Sequence, residues 1–163
     1  MGYVEKNLIP EETLYAQGHL HWIIFSKAIF WGLAAIALLL YALEEQAAGV
    51  FENAQLLMYG GLVLLIPALW YAAAALIKRI STELAVTSKR VIAKFGFIRR
   101  NTVELNHSKV ESFHVEQGVL GCILGFGTLH INGTGGGITP IPNISDPLGF
   151  RRRAMEGIDD SQK

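Results

Sequence analysis

The sequence predicts an α+β protein in which a two-helix transmembrane hairpin is followed by an antiparallel β domain closed by a C-terminal helix. Three observations predict it: two long apolar runs, a change of hydrophobic period from helical to two after Ser81, and a helix start signal at Asp146 and Pro147. Apolar residues make up 51% of the chain, which is high for a protein whose second half is polar and glycine-rich, so the excess must be concentrated. It lies in residues 22–43 and 54–77. The first run holds one charge, Lys27, and the second holds none. Each meets the roughly 20-residue length needed to cross a hydrocarbon core of about 30 Å.

Two buried helices in a water-soluble protein are the alternative, but residues 78–163 are too few and too strand-like to wrap helices that are apolar all round. A cleaved signal peptide is not expected either, because the first run follows a mostly polar lead-in and is too long for a signal core.

Taken in order, residues 1–21 form a lead-in in which 12–20 alternate like a strand, with Leu14, Ala16 and Gly18 on one side. In the first span Lys27 is expected to snorkel toward the headgroups, and Trp22 and Trp31 suit the interface. The connector, residues 44–53, carries Glu44, Glu45 and Glu52 without a Lys or Arg, whereas Lys78 and Arg79 follow the second span directly. The positive-inside rule then places the connector outside and both termini in the cytoplasm. In the second span Gly60 and Gly61 permit close helix approach, and Pro67 should kink the helix.

Residues 78–163 are expected to form the cytoplasmic domain. Runs at 83–87, 90–95, 98–105, 110–117, 128–132 and 138–144 are short, rich in Val, Ile, Thr and Phe, and bounded by turn residues, which makes six strands. Gly96 and residues 106–109 separate successive strands closely enough for antiparallel meanders. Asp146 as N-cap and Pro147 at the first helical position begin a helix to about residue 156. Its apolar face carries Phe150, Ala154 and Ile158, and the helix is expected to cap an open end of the sheet. The single cysteine, Cys122, has no internal partner and reads as a structural thiol in a reducing compartment.

Several segments match a known pattern: Thr-Glu-Leu-Ala-Val-Thr (82–87) with Arg-Val-Ile (90–92), Val-Glu-Leu (103–105), Lys-Val-Glu-Ser (109–112), Glu-Gln (116–117), Leu-Gly-Cys-Ile-Leu-Gly-Phe-Gly-Thr (120–128), Gly-Thr-Gly-Gly (133–136) and Asn-Ile-Ser-Asp-Pro (143–147). The chain resembles the bacterial pleckstrin-homology-like membrane proteins of the YdbS type over nearly its whole length. The resemblance implies a seven-stranded, strongly bent sheet, a PH-like β-barrel closed by the C-terminal helix. Six strands are counted in the tail, and the lead-in strand is expected to supply the seventh. Inositide recognition is not implied. The first tail hairpin offers only Lys89, Arg90 and Lys94 beside Arg99 and Arg100, and all three Trp residues lie in or at the spans.

Chemistry-bearing patterns are sparse. Glycines 133–137, interrupted by Thr134, are followed by no Lys-Ser/Thr and no helix, so they read as a turn and not as a phosphate loop. His19, His21, His107, His114 and His130 lack a completing ligand at metal spacing, and Ser112, His114 and Glu116 stand about 7 Å apart along one strand face. Neither a metal or cofactor nor a catalytic set is expected, and a non-enzymatic role follows. From Lys78 onward Lys plus Arg outnumber Asp plus Glu by 12 to 8, which suits an anionic leaflet. Lys78, Arg79, Arg99, Arg100, Arg151, Arg152 and Arg153 are the candidates for lipid phosphates. The apolar, glycine-spaced run with Leu120, Cys122, Ile123, Leu124 and Phe126 has two readings: a loop folded into the barrel core, or a surface that docks on the membrane or on a second copy.

The expected role is a membrane-anchored interaction or scaffold module, self-assembling or bound to other membrane proteins, with the lipid bilayer as partner and no nucleic acid. A lipid or small-ligand binder and an accessory subunit of a transporter or membrane enzyme are the alternatives.

Overall fold

The structure, a computed structural model, describes residues 7–96, 101–134 and 136–161. It divides into two units: Trp22–Ile77, and a second unit made of the lead-in together with the chain from Lys78 onward.

The first unit is helical. A short 3-10 turn, Trp22–Phe25, leads into α1 (Ser26–Ala47), and α2 (Phe51–Ser81) returns after a tight turn. Both are long and apolar enough to cross a membrane. The connector expected over 44–53 is shorter, because Glu44 and Glu45 still belong to α1 and Glu52 to α2. Small residues line the contact between the helices: Ala35, Ala42, Ala54, Ala68 and Ala75 are buried. A Cβ on Gly61 would stand 2.6 Å from the Leu39 side chain, so the backbone approach that Gly60 and Gly61 were expected to allow is used here. The large side chains point outward instead, as with Phe30, Leu33, Leu56, Leu69 and Trp70. Lys27 places its Nζ 5.7 Å from the centroid of the Tyr71 ring, a cation–π contact that softens the charge.

Among the described residues the second unit holds seven strands. β1 (Leu14–Gly18), β2 (Glu83–Thr87), β3 (Arg90–Phe95) and β4 (Asn101–Asn106) form one antiparallel sheet in that order, and β5 (Val110–Glu116), β6 (Phe126–Gly133) and β7 (Gly137–Ser145) form a second. The strand expected in the lead-in is therefore present and paired with β2, Ala16 opposite Val86 and Gly18 opposite Leu84. A Cβ on Gly18 would meet Leu84 Cδ2 at 2.9 Å, so glycine lets β1 lie close over the core. The start expected for the third tail strand, residues 98–100, lies outside the described residues. The turn expected over 133–137 joins β6 to β7, with Gly136 at φ +80°.

The expected closed barrel is not found among the described residues, which form two sheets. After β1 the chain crosses to the second sheet, where His21 N–H donates to the Asn143 carbonyl at 2.7 Å and Ser145 N–H to the His19 carbonyl at 2.9 Å. This corner joins the sheets through the bridge Leu20–Ile144. On the other side a three-residue 3-10 turn, His107–Lys109, carries the chain out of β4 and into β5. No ladder joins β4 to β5 among the described residues, so the sheets stay separate and are covered by a helix.

That helix is α4 (Pro147–Ser161), longer than expected by about one turn. Asp146 caps it, its Oδ1 accepting the Gly149 N–H at 3.0 Å. Phe150 and Ala154 are fully buried, and the helix packs on β1, β2, β5 and β6, so one element closes both sheets. Gly157 sits under the Tyr15 ring, where a Cβ would come within 2.6 Å of the ring carbons. The core beneath combines Leu84, Val86, Val91, Leu129, Ile131, Ile141 and Ile144. Leu8 packs against Ala85 and Ile92, which is why β2 and β3 are buried on both faces.

A buried polar knot holds the lead-in down. The Thr87 hydroxyl donates to Glu12 Oε1 at 2.6 Å, and Ile9 N–H donates to Glu12 Oε2 at 2.8 Å. Arg90 clasps the same carboxylate through Nε at 3.1 Å and Nη2 at 3.2 Å, while its Nη1 donates to Glu104 at 2.7 Å. Burial pushes the Glu12 carboxyl up, but the hydrogen bonds from Thr87, Ile9 and Arg90 outweigh it and hold it below its ordinary value.

Candidate interaction site

Among the described residues, the cations expected at a lipid surface stand on two different helices. Lys78 and Arg79 are exposed in the last turn of α2, where a positive charge complements the carbonyl end of the helix. Arg99 and Arg100 lie outside the described residues. Arg151, Arg152 and Arg153 are exposed on α4. Arg153 Nη1 stands 3.6 Å from Asp146 Oδ2. Arg151 and Arg152 line an open groove of about 770 Å³ together with Glu111, Asp146, Leu148 and Met155. The groove is thus lined by side chains of both charges together with the apolar Phe113, Leu148 and Met155.

The remaining hairpin cations serve the domain itself. Arg90 is committed to Glu12 and Glu104, Lys94 stands 3.7 Å from Glu83, and Lys89 Nζ donates to the Pro10 carbonyl at 3.3 Å. The sequence offered only these three, beside Arg99 and Arg100, at the first tail hairpin. The carboxylate partners of Arg90 and Lys94 come from strands or the lead-in, so composition alone did not show these pairings.

The run at 119–126 overturns the buried-loop reading. It forms a short helix, α3 (Val119–Leu124), ended by Gly125 in the left-handed conformation at φ +75°. Val119 is 80% exposed, Leu120 66%, Ile123 73% and Leu124 40%. Cys122 is exposed as well, and Phe126 is half-buried at the start of β6. A surface helix ordinarily turns its apolar stripe inward. Here the inward residue is Gly121, whose backbone is pressed so closely on Phe126 that a Cβ would stand 2.5 Å from the Phe126 carbonyl oxygen. The Gln117 amide secures this seat, donating to the carbonyls of Phe126 at 3.0 Å and Gly121 at 3.3 Å. Gly125 in turn accepts the Asp146 N–H at 2.9 Å, which ties the helix end to the start of α4. The outward stripe is therefore held by ordered backbone contacts.

Phe126 also stacks on His21, ring centroids 5.3 Å apart and 25° from parallel. His21 is the last lead-in residue before the apolar run begins at Trp22. Within its own unit, α3 thus sits at the end from which the chain departs.

On the outer face of the second sheet the structure assembles a cluster that strand spacing did not reveal. His114 pairs across the ladder with His130, and Glu116 reaches diagonally so that its Oε2 lies 3.2 Å from His130 Nε2. His114 Nε2 remains 4.0 Å from Glu116 Oε1, beyond hydrogen-bond reach. Ser112 accepts from Asn132 Nδ2 at 2.9 Å. Contacts of this kind are set by cross-strand register, which a reading along one strand does not contain.

Comparison with protein families decides the kinship. The bacterial PH domain family matches residues 24–156, which takes in both apolar helices and most of the β domain. The chain belongs to the bacterial PH domain family. Comparisons with curated proteins and with solved structures returned no match. Membership suggests a binding or protein-interaction module, consistent with a domain that closes both its sheets with a helix yet leaves an apolar helix exposed.

Proposed function

We propose that this bacterial PH domain protein, of the YdbS type, is a non-enzymatic interaction module anchored in the cytoplasmic membrane, with both termini in the cytoplasm. One observation carries the reading: α1 and α2 turn their small residues toward each other and expose Phe30, Leu33, Leu56, Leu69 and Trp70 to the surroundings. Such an arrangement is stable where the surroundings are lipid, because packing of small residues joins the helices while large apolar side chains meet acyl chains. At 31 residues α2 is about 46 Å long, more than the hydrocarbon thickness, so its last turn with Lys78 and Arg79 belongs to the headgroup region. Arg151 and Arg152 add positive charge toward an anionic leaflet. Tethering holds the β domain at one surface, where weak contacts with a second copy or with other membrane proteins become effectively intramolecular.

Fractionation of a detergent-free lysate tests the anchoring. The chain is expected in the membrane pellet, retained after an alkaline carbonate wash and released by detergent. Recovery of dispersed, folded protein in the supernatant defeats the proposal. For topology, a membrane-impermeant maleimide should label Ser108→Cys in a Cys122→Ser background in inverted vesicles and leave it unlabelled in intact spheroplasts; the reverse pattern overturns the cytoplasmic assignment.

The groove beside α4 favours a second reading, a binder of a ligand with a head carrying both charges and an apolar body, since Arg151 and Arg152 stand there with Glu111, Asp146, Leu148 and Met155. Native mass spectrometry from detergent distinguishes the two, because a lipid-sized adduct at fixed stoichiometry supports the groove as a ligand site.

A further inference from the structure

We propose that α3 is a monotopic anchor: the face formed by Val119, Leu120, Ile123 and Leu124 inserts among the lipids at the cytoplasmic interface. The inference rests on the membrane-anchored reading above and adds a second lipid contact made by the β domain itself.

Four observations select lipid as the occupant. The outward side chains recur at one, three and four residues and so form one continuous stripe, carried on a helix whose inner face is glycine. Every one of them is aliphatic, and no charged residue occurs from Gln117 to Gly127, so the face offers neither hydrogen bonds nor ion pairs to a protein partner. Protein interfaces ordinarily surround an apolar centre with polar groups and enrich it in aromatic residues and Arg. The helix is also small. Six residues span about 9 Å along the axis, so the apolar face they offer is short. A protein partner would need a much larger area, on the order of 800 Å² a side. Finally, α3 lies at the point of departure toward the apolar helices, since Phe126, one residue beyond its cap, stacks on His21.

The rigid seat matters to the mechanism. Gly121 and Gln117 hold the helix backbone in place, so no ordering entropy is spent when the side chains enter lipid. Insertion at this second point restricts the tilt of the β domain and presents the groove beside α4 and the outer face of the second sheet in a defined orientation.

The test uses the full chain reconstituted in phosphatidylethanolamine and phosphatidylglycerol vesicles. An environment-sensitive fluorophore is attached at Cys122, or at Ile123→Cys in a Cys122→Ser background. Ser108→Cys in the same background is the control, placed at the opposite end of β5 in an exposed turn. Brominated acyl chains are expected to quench the probes on α3 and leave the probe at 108 unaffected, whereas aqueous iodide should show the opposite preference. Equal behaviour at both places overturns the proposal, as does self-quenching between α3 probes without bromolipid quenching, which assigns the face to a second copy. Flotation of the same vesicles separates the two readings. Protein that fails to float defeats the anchoring, whereas protein that floats with α3 probes open to iodide defeats only the proposal for α3.

Discussion

Replacing Arg90 with alanine tests whether a buried ion pair keeps the lead-in within the sheet. The Glu12 side chain is fully buried, and Arg90 retains 16% of its side-chain exposure. Deleting one partner of such a pair costs about 3–5 kcal/mol, because the other charge is left in a medium that solvates it poorly. Thr87 and Ile9 keep two of the carboxylate's hydrogen bonds, so the lower end, about 3 kcal/mol, is expected. That is about two decades in the folding equilibrium. With a urea dependence near 1.5 kcal/mol/M, the unfolding midpoint falls by about 2 M. Tryptophan fluorescence is the wrong probe, since Trp22, Trp31 and Trp70 all lie in the helical unit. Pulse proteolysis of the detergent-solubilised chain across a urea series reads the β domain directly. Two comparisons sharpen the outcome. Glu104→Gln removes only the exposed partner and should cost less than about 1 kcal/mol. Glu12→Gln combined with Arg90→Met should recover most of the lost stability, because no unpaired charge remains. An Arg90→Ala midpoint no lower than that of Glu104→Gln would refute the account of the knot.

Acid should weaken the β domain in two stages. Burial lowers the His107 pKa, although the carbonyls of Thr87 and Arg90 pull it up, and the bonds to Glu12 hold its carboxyl low despite burial. Both groups bind protons less readily folded than unfolded, so both contributions are complete above the ordinary values of 6.5 and 4.5 and are lost as pH falls through the native ones. A urea midpoint that declines first below about pH 6.5 and again below about 4.5 is expected, with His107→Gln abolishing the first stage; a decline on the alkaline side of 6.5 contradicts the sign. The seat of α3 is tested by two glycines three residues apart. Gly121→Ala drives a Cβ into the Phe126 carbonyl and should cost about 1–3 kcal/mol, whereas Gly118→Ala meets nothing and should stay within about 0.5 kcal/mol, both read by the same proteolysis assay.

Much of this molecule was legible before any coordinates. Residues 83–87 and 90–95 appear as strands with the expected bounds, and the Asp146–Pro147 signal begins α4, because turn residues, period and capping chemistry are local properties of a few neighbouring side chains. The two apolar helices follow from composition for the same reason. What the sequence left open was how distant segments meet. Whether seven strands close into a barrel depends on the corner at residues 19–21 and on the turn at 107–109, and the fold makes two sheets there. The partners of Arg90, the Glu116 reach to His130 and the mixed charge of the groove beside α4 are products of register and packing across the domain. The run at 119–126 shows the division most clearly. Its apolar, glycine-spaced character was plain, yet only the tertiary structure decided which face turns outward, because a carbonyl at Phe126 leaves room for glycine and for nothing larger.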